Sequence, residues 1–417
     1  MKRGGLVLCA VVSFLIFGST QLMAQEGKIR VGKLKVIPGI KVQGIHDDNI
    51  YLGNGTNNTT ELKESDWITH FMPSVLLDYA FDGRGSMKFG YQGDWARYSD
   101  NDKNNWNTQR GLFALDYKAP AGIILGINNI YTDAEDPYGS DNQYKLGTPM
   151  TKRWNNDLKT RLGYQFSDRF KVLGYFNTYK QDYEALADWT QNYDSREFGG
   201  GLEMKLLPKT WGFIRYHYGE QDYYSHPLTV AGVATNSTEA NDADSDWQRV
   251  NVGLSWDPGA KLSGELNFGY QWKDYENRAD PTGDLYGDEN NWVASTALSY
   301  TPTTTTTLSL SITRSVKDTA ANDDDRYTDT GIGIDLRQML MTKFTLTAGF
   351  SLGKNDYKLP LTNPRSDDNY IANMGLEYKI QEWLSASVGY TYNKKDSNYV
   401  DNDYTDNQFM ISLSGSY

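Results

Sequence analysis

Apolar and polar residues alternate with a period of two along most of this chain, the pattern of β-strands with one apolar face. From Leu262 to Trp272 the even positions are apolar or Gly and the odd positions are polar or Gly, and Phe344 to Leu352 repeats this arrangement. Such stretches match the ~9–11 residues that a tilted strand needs to cross a membrane. No apolar run after the N-terminus is long enough for a membrane helix, so the pattern predicts a barrel.

The same alternation, followed along the whole sequence, predicts eighteen strands joined by connections that are alternately short and long. The predicted strands are 34–45, 66–81, 86–98, 108–118, 123–132, 155–166, 170–179, 196–207, 210–219, 248–257, 261–273, 291–300, 304–316, 328–338, 343–353, 369–379, 383–393 and 406–417. We therefore expect an all-β fold, a transmembrane antiparallel up-and-down β-barrel of about 18 strands. A barrel of sixteen strands remains the alternative. Short periplasmic turns, longer extracellular loops and both termini in the periplasm complete this prediction, which localises the chain to the bacterial outer membrane.

In the middle of each predicted strand, charged residues occur at only one of the two alternating sets of positions, which we call the two parities of the strand. A Lys or Arg at mid-membrane on the lipid face costs about 2–4 kcal/mol, so the charged parity is expected to face the lumen. The candidate lumen-lining residues are Lys35, Lys41, Lys88, Asp94, Lys159, Arg161, Lys171, Arg249, Glu265 and Asp335. The basic residues of the first third either guide anionic sugars or carboxylates, or merely pair with nearby acids such as Asp94.

Aromatic residues recur at the strand ends, as in the interfacial girdles of membrane barrels. Strands that run towards the long loops end in similar Asp-Tyr sequences, and the returning strands begin near an aromatic residue. Parity assigns some of these aromatics to lipid, namely Trp67, Trp154, Trp292 and Tyr370, and others to the lumen, namely Trp106, Tyr193, Trp247, Tyr327 and Tyr404. The second group is a hypothetical ring at the extracellular mouth whose flat faces stack on sugar rings, although a β-bulge would reverse any single assignment.

The N-terminus has the layout of a secretory signal peptide. Lys2 and Arg3 precede an apolar stretch from Leu6 to Phe17, and the small residue Ala24 follows. The predicted divisions are a signal peptide at 1–24, a short periplasmic segment at 25–33 and the barrel at 34–417. The single cysteine lies within the predicted signal, which excludes disulfides, thiolate metal sites and c-type haem from the mature chain. We expect no cofactor and no metal.

Charge and histidine content exclude further classes of function. The net charge of −12 argues against nucleic acid, which needs a basic surface. Only four histidines are available and none has a nucleophile or base at a recognisable spacing, so the chain is not expected to be an enzyme and no catalytic residue is assigned. The acidic loop sequences 323–325 and 401–403 match no calcium loop, and solvation is expected there rather than cation binding.

Short motifs add a resemblance to a known family. The strand from Leu34 to Val42, the following Asp47-Asp48-Asn49-Ile50 sequence and strand ends such as Lys273 to Tyr275 resemble the second family of outer-membrane β-barrel porins. Members of that family are often encoded among exopolysaccharide genes. The resemblance implies an outer-membrane channel or export barrel with polysaccharide as the favoured cargo, and it supplies no functional residues to transfer.

Exopolysaccharide export is therefore the leading expectation, with a general diffusion porin or a barrel that sheathes a partner protein as alternatives. The expected partners are outer-membrane lipid and lipopolysaccharide, the outer-membrane assembly machinery and, for export, polysaccharide and a periplasmic export protein. The alternating segment from Phe409 to Tyr417 ends on an aromatic residue and resembles the terminal strand that the assembly machinery recognises.

Overall fold

The computed structural model describes residues 29–56, 62–137, 150–185, 191–224, 244–256, 259–276, 288–318, 326–358 and 363–417, and the backbone of 226–230 and 233–239. Its strands are β1 (Ile29–Val31), β2 (Leu34–Asp47), β3 (Asp66–Ala80), β4 (Gly85–Tyr98), β5 (Trp106–Lys118), β6 (Ile123–Asp136), β7 (Thr151–Gln165), β8 (Phe170–Tyr183), β9 (Tyr193–Leu207), β10 (Thr210–Tyr223), β11 (His226–Val230), β12 (Val233–Glu239), β13 (Ser245–Trp256), β14 (Leu262–Tyr275), β15 (Glu289–Thr303), β16 (Thr306–Asp318), β17 (Arg326–Leu340), β18 (Phe344–Tyr357), β19 (Ser366–Lys379), β20 (Leu384–Ser397) and β21 (Tyr404–Ser416). Within these residues no helix is both long and apolar enough to span a membrane.

Eighteen of the strands, β2–β10 and β13–β21, form a closed antiparallel barrel in which each strand pairs with its neighbours along the chain. The barrel closes where β2 pairs with β21, in a ladder from Gly39 opposite Ser416 to Asp47 opposite Gln408. The predicted fold class and strand number are confirmed. The short strand β1 folds back onto the first residues of β2, and β11 pairs only with β12.

The two ends of the barrel differ. Short turns join the strands at one end, such as the turn between β3 and β4 in which Gly83 adopts a φ of 78°, and β2 begins and β21 ends at the same end. We call this the short-turn end and the opposite end the long-loop end. Strands extend beyond their predicted bounds mainly at the long-loop end: β8 reaches Tyr183 and β18 reaches Tyr357. The alternation of hydropathy fades there because the outward residues become polar, while the backbone ladder continues.

Each face of the barrel wall carries one parity. The outward face exposes large apolar side chains, among them Phe198, Ile214 and Phe350, each at least half exposed. The opposite face carries the polar and charged residues, in agreement with the predicted alternation. The register shifts recorded within the barrel ladders lie near the short-turn end, at Thr210/Trp211 and at Tyr300/Thr303. Parity is therefore preserved from mid-strand to the long-loop end.

Candidate functional site: the lumen

Paired charges line the inner face of β8–β14. We call this region the charged wall, and its residues are Lys171, Glu197, Glu203, Arg215, Arg249 and Glu265. The Arg215 guanidinium lies 3.0 Å from the Glu203 carboxylate and 2.8 Å from that of Glu265, so it bridges β9 and β14 across two intervening strands. Lys171 lies 3.2 Å from Glu203. Arg249 lies 3.2 Å from Glu197. Because Glu203 and Arg215 are only 6% and 13% exposed, this network fills its side of the lumen.

Glycines on the same wall make room for these long side chains. A Cβ at Gly201 would lie 2.8 Å from Cγ of Arg215, and a Cβ at Gly219 would lie 2.2 Å from the Trp247 ring. Both contacts are closer than real carbon atoms approach. A larger residue at either position would displace the charged or aromatic group that packs over it.

The inner face of β15–β21 is different. Its middle part, which we call the hydroxyl wall, consists mostly of Ser, Thr and Gly, with the hydroxyl residues Ser295, Ser309, Ser311, Thr345, Thr347, Ser351, Ser387, Thr391 and Ser412. Their hydroxyls bond locally, as between Ser387 and Ser412 at 2.7 Å. Asp335 is the predicted lumen residue on this wall, and it pairs with no cation within 4.0 Å among the residues described. Short side chains leave the lumen open on this side.

The remaining predicted lumen residues lie on β2–β7 and divide into two groups. Lys159 pairs with Asp157 at 2.9 Å and Arg161 with Asp116 at 3.2 Å. Asp94 shares a hydrogen bond of 2.9 Å with His70. By contrast, Lys35, Lys41 and Lys88 have no carboxylate within 4.0 Å in the described part of the chain, although Lys35 and Lys88 flank Asp78 in register. These three lysines are half-buried and form no ion pair within that distance, so they are candidates for contact with an anionic solute.

The five predicted mouth aromatics, Trp106, Tyr193, Trp247, Tyr327 and Tyr404, share the inward parity at the long-loop end. Tyr327 and Tyr404 are only 5% exposed, and Tyr327 stacks on Tyr357 with ring centroids 5.0 Å apart. The Tyr193 ring lies 5.2 Å from that of Tyr223. Of the five, only Trp106, Tyr193 and Trp247 are half-buried rather than buried, so the surface available for stacking is smaller than the predicted ring.

Four further tyrosines face inward at the long-loop end and were not among the predicted site residues. The Asp-Tyr repeats place Tyr183, Tyr223, Tyr275 and Tyr357 on the inward parity of β8, β10, β14 and β18. Arg215 was also missed. Parity counted from the middle of each strand would have found all five, because each lies an even number of residues from an inward position.

A cross-lumen contact narrows the long-loop end. Gln221 on β10 donates a hydrogen bond of 2.9 Å to Asp318 on β16. Lys273 and Tyr275 on β14 each donate to the same carboxylate at 2.8 Å. Four strand steps separate β10 from β16, or about 19 Å along the wall at ~4.8 Å per strand. Side chains alone do not span that distance, so the end of β16 leans over the lumen. These four residues therefore form a contact that crosses part of the lumen.

Most of the chain is similar in sequence to a known protein family. The family model described as "Putative beta-barrel porin 2" matches residues 25–417. A BenF-like porin from Pseudomonas fluorescens Pf-5 is similar in structure, with 11% identity, a TM-score of 0.44 and coverage of 93% of this chain and 100% of that one. OccK3 (OpdO) from Pseudomonas aeruginosa has 10% identity, a TM-score of 0.41 and coverage of 91% and 96%. No curated protein matches the chain in sequence.

Proposed function

Because this chain belongs to the family described as "Putative beta-barrel porin 2", we propose that it is an outer-membrane channel through which exopolysaccharide is exported. The hydroxyl wall is the observation that carries the choice of cargo. Ser and Thr hydroxyls exchange hydrogen bonds with sugar hydroxyls, and a surface with few charges holds no sugar tightly enough to stop its passage.

The long-loop end is proposed to face the cell exterior, with the short turns and both termini in the periplasm, because outer-membrane barrels combine short periplasmic turns with longer outer loops. A chain exported through the lumen would then leave past Trp106, Tyr193 and Trp247. The aromatic rings of these three half-buried residues provide apolar faces for the apolar faces of sugar rings. The unpaired Lys35, Lys41 and Lys88 favour a polysaccharide that carries carboxylates.

Single-channel recording in planar bilayers tests this proposal. Long neutral and acidic oligosaccharides should interrupt the current through the native barrel, with the acidic ones producing the longer interruptions because of the unpaired lysines. The Trp106→Ala/Trp247→Ala double variant should shorten the interruptions while the barrel still folds. As a matched control, Trp67→Ala/Trp292→Ala removes two outward-facing indoles and should leave them unchanged.

A general diffusion porin is the competing function. If small solutes pass freely and no oligosaccharide alters the current, export of polysaccharide is wrong and the general porin stands. A native barrel that passes neither sugars nor small ions would instead favour the alternative of a sheath around a partner protein.

A further inference from the structure

The barrel seam, where the first and last barrel strands meet, is built by the Asp47-Asp48-Asn49 sequence at the long-loop end of β2. Asp48 accepts hydrogen bonds of 2.8 Å from both the backbone N–H and the side-chain amide of Asn407. The Asn49 amide donates to the backbone carbonyls of Gly53 at 2.8 Å and Thr405 at 2.9 Å. This short motif therefore joins β2 to β21 at the point where the barrel closes.

Two buried carboxylates lie beside this joint on the inward face. Asp47 is 6% exposed and Asp406 is fully buried. Among the residues described, neither carboxylate has a Lys, Arg or His nitrogen within 4.0 Å. Buried charges are ordinarily paired with an opposite charge or bound to a metal ion, because an unpaired ion loses its hydration at large cost. The two acids thus lack the counter-charge that the charged wall supplies to its own glutamates.

One oxygen of this pair accepts no hydrogen bond from an N–H or hydroxyl donor, although Asp47 and Asp406 are close enough to share a proton when no cation is bound. Both Asp47 oxygens accept hydrogen bonds, from the Asn49 backbone N–H at 2.8 Å and from the Gln408 amide at 3.0 Å. Oδ2 of Asp406 accepts from the amides of Asn393 and Gln408. Oδ1 of Asp406 is buried and accepts none. A buried oxygen without a donor is the ligand atom that a cation would complete.

The spacing of the acids suits one calcium ion. Carboxylate oxygens of Asp47, Asp48 and Asp406 lie within 4.8 Å of one another. Two ligands of the same ion are separated by at most twice the metal–oxygen bond, which is about 4.6–5.2 Å for Ca²⁺ and about 4.2 Å for Mg²⁺. An all-oxygen, acidic donor set is also the one that these hard cations select.

We propose that Asp47, Asp48 and Asp406 form a divalent-cation site that binds Ca²⁺ and locks the barrel seam. The ion supplies the missing counter-charge and ties the last strand to the first. Since the ligands come from strands at opposite ends of the sequence, the site exists only in the closed barrel. Binding therefore stabilises the folded state by mass action.

Calorimetric titration of the chelator-treated, detergent-solubilised barrel with CaCl2 tests the site, together with thermal unfolding in Ca²⁺ or EDTA. We expect one Ca²⁺ per native barrel, weaker binding of Mg²⁺, and a higher unfolding temperature with Ca²⁺. Asp406→Asn and Asp47→Asn should each weaken Ca²⁺ binding at least about tenfold, the effect seen even for residues that only support metal ligands. Asp401→Asn, in the neighbouring exposed acidic segment, is the matched control and should bind as the native barrel does.

The sign of the change in barrel stability distinguishes the loss of Ca²⁺ binding from a packing defect caused by the substitution. Without Ca²⁺, Asp406→Asn should be at least as stable as the native barrel, because it replaces one of two adjacent buried acids with a neutral amide, and Ca²⁺ should no longer stabilise it. Asp47→Asn provides the same readout if Asp406→Asn does not fold. The proposal is wrong if the native barrel binds no Ca²⁺, or if Asp47→Asn and Asp406→Asn bind Ca²⁺ as tightly as Asp401→Asn.

Discussion

The charged wall and the hydroxyl wall line the same lumen on the same type of strand, yet they place polar groups in opposite ways. On β8–β14, Arg215 reaches across strands and pairs with the buried Glu203 and the half-buried Glu265. On β15–β21, hydroxyls bond to the adjacent strand and leave the centre of the lumen free, as Ser387 and Ser412 do. The period-two pattern specifies that the inner face is polar on both the charged wall and the hydroxyl wall. Side-chain length decides which of them fills the lumen and which leaves space for a solute.

Burial separates the ion pairs as well. The Arg215–Glu203 pair is 13% and 6% exposed, while the Arg161–Asp116 pair is 45% and 69% exposed. A buried pair is costly to break because the remaining charge is left without water, whereas an exposed pair contributes little. The charged wall is therefore a structural buttress as well as a lumen surface.

The largest expected effect follows from breaking the charged wall. Arg215→Leu should lower the free energy of unfolding by about 3 kcal/mol, the lower end of the range for a broken buried pair, because Lys171 still pairs with Glu203. The matched variant Arg161→Leu should cost less than about 1 kcal/mol. Urea unfolding of the refolded barrel in lipid vesicles measures both. Equal losses would show that burial does not decide how much each pair contributes to stability.

The second prediction compares the hydroxyl wall with the lipid face directly behind it. Phe350→Arg should destabilise the barrel by about 2–4 kcal/mol, because Phe350 points outward near mid-strand where a charge meets hydrocarbon. Ser351→Arg, one residue further on, points inward and should fold with near-native stability while it changes ion selectivity. Urea unfolding in vesicles and reversal potentials check the pair. If Ser351→Arg proved the more damaging substitution, the inward and outward assignment of β18 would be reversed.

The smallest effect on stability, and the sharpest on conductance, is expected for a bulky residue on the hydroxyl wall. Ser311→Trp in the middle of β16 should reduce single-channel conductance because it fills the open side of the lumen, and Ser311→Thr should not. Lys205→Trp exchanges one long inward side chain for another on the side of the lumen that carries the charged wall, and it should change the current little. An equal reduction by Ser311→Trp and Lys205→Trp would mean that the lumen is open on both sides.

Much of this architecture could be predicted from the sequence because its determinants are local. The alternation of apolar and polar residues is set within each strand, so the closed barrel, its strand number and the faces of residues such as Trp67 and Glu265 could be read directly. Parity is also enough to place the mouth tyrosines inward. The alternation of apolar and polar residues weakens only beyond the apolar part of the outward face, where β8 and β18 extend further than predicted.

The tertiary structure alone decided what the inward residues do. Arg215 and Glu265 are separated by 50 positions, and no local pattern specifies that they meet. Asp318 has the outward parity of β16, yet it turns over the lumen because the strand end leans towards β10. The orphan oxygen of Asp406 appears only when the first and last strands pair. The face on which a side chain lies follows from the period of the backbone. Its partners, its burial and the open space beside it follow from the closure that brings distant strands together.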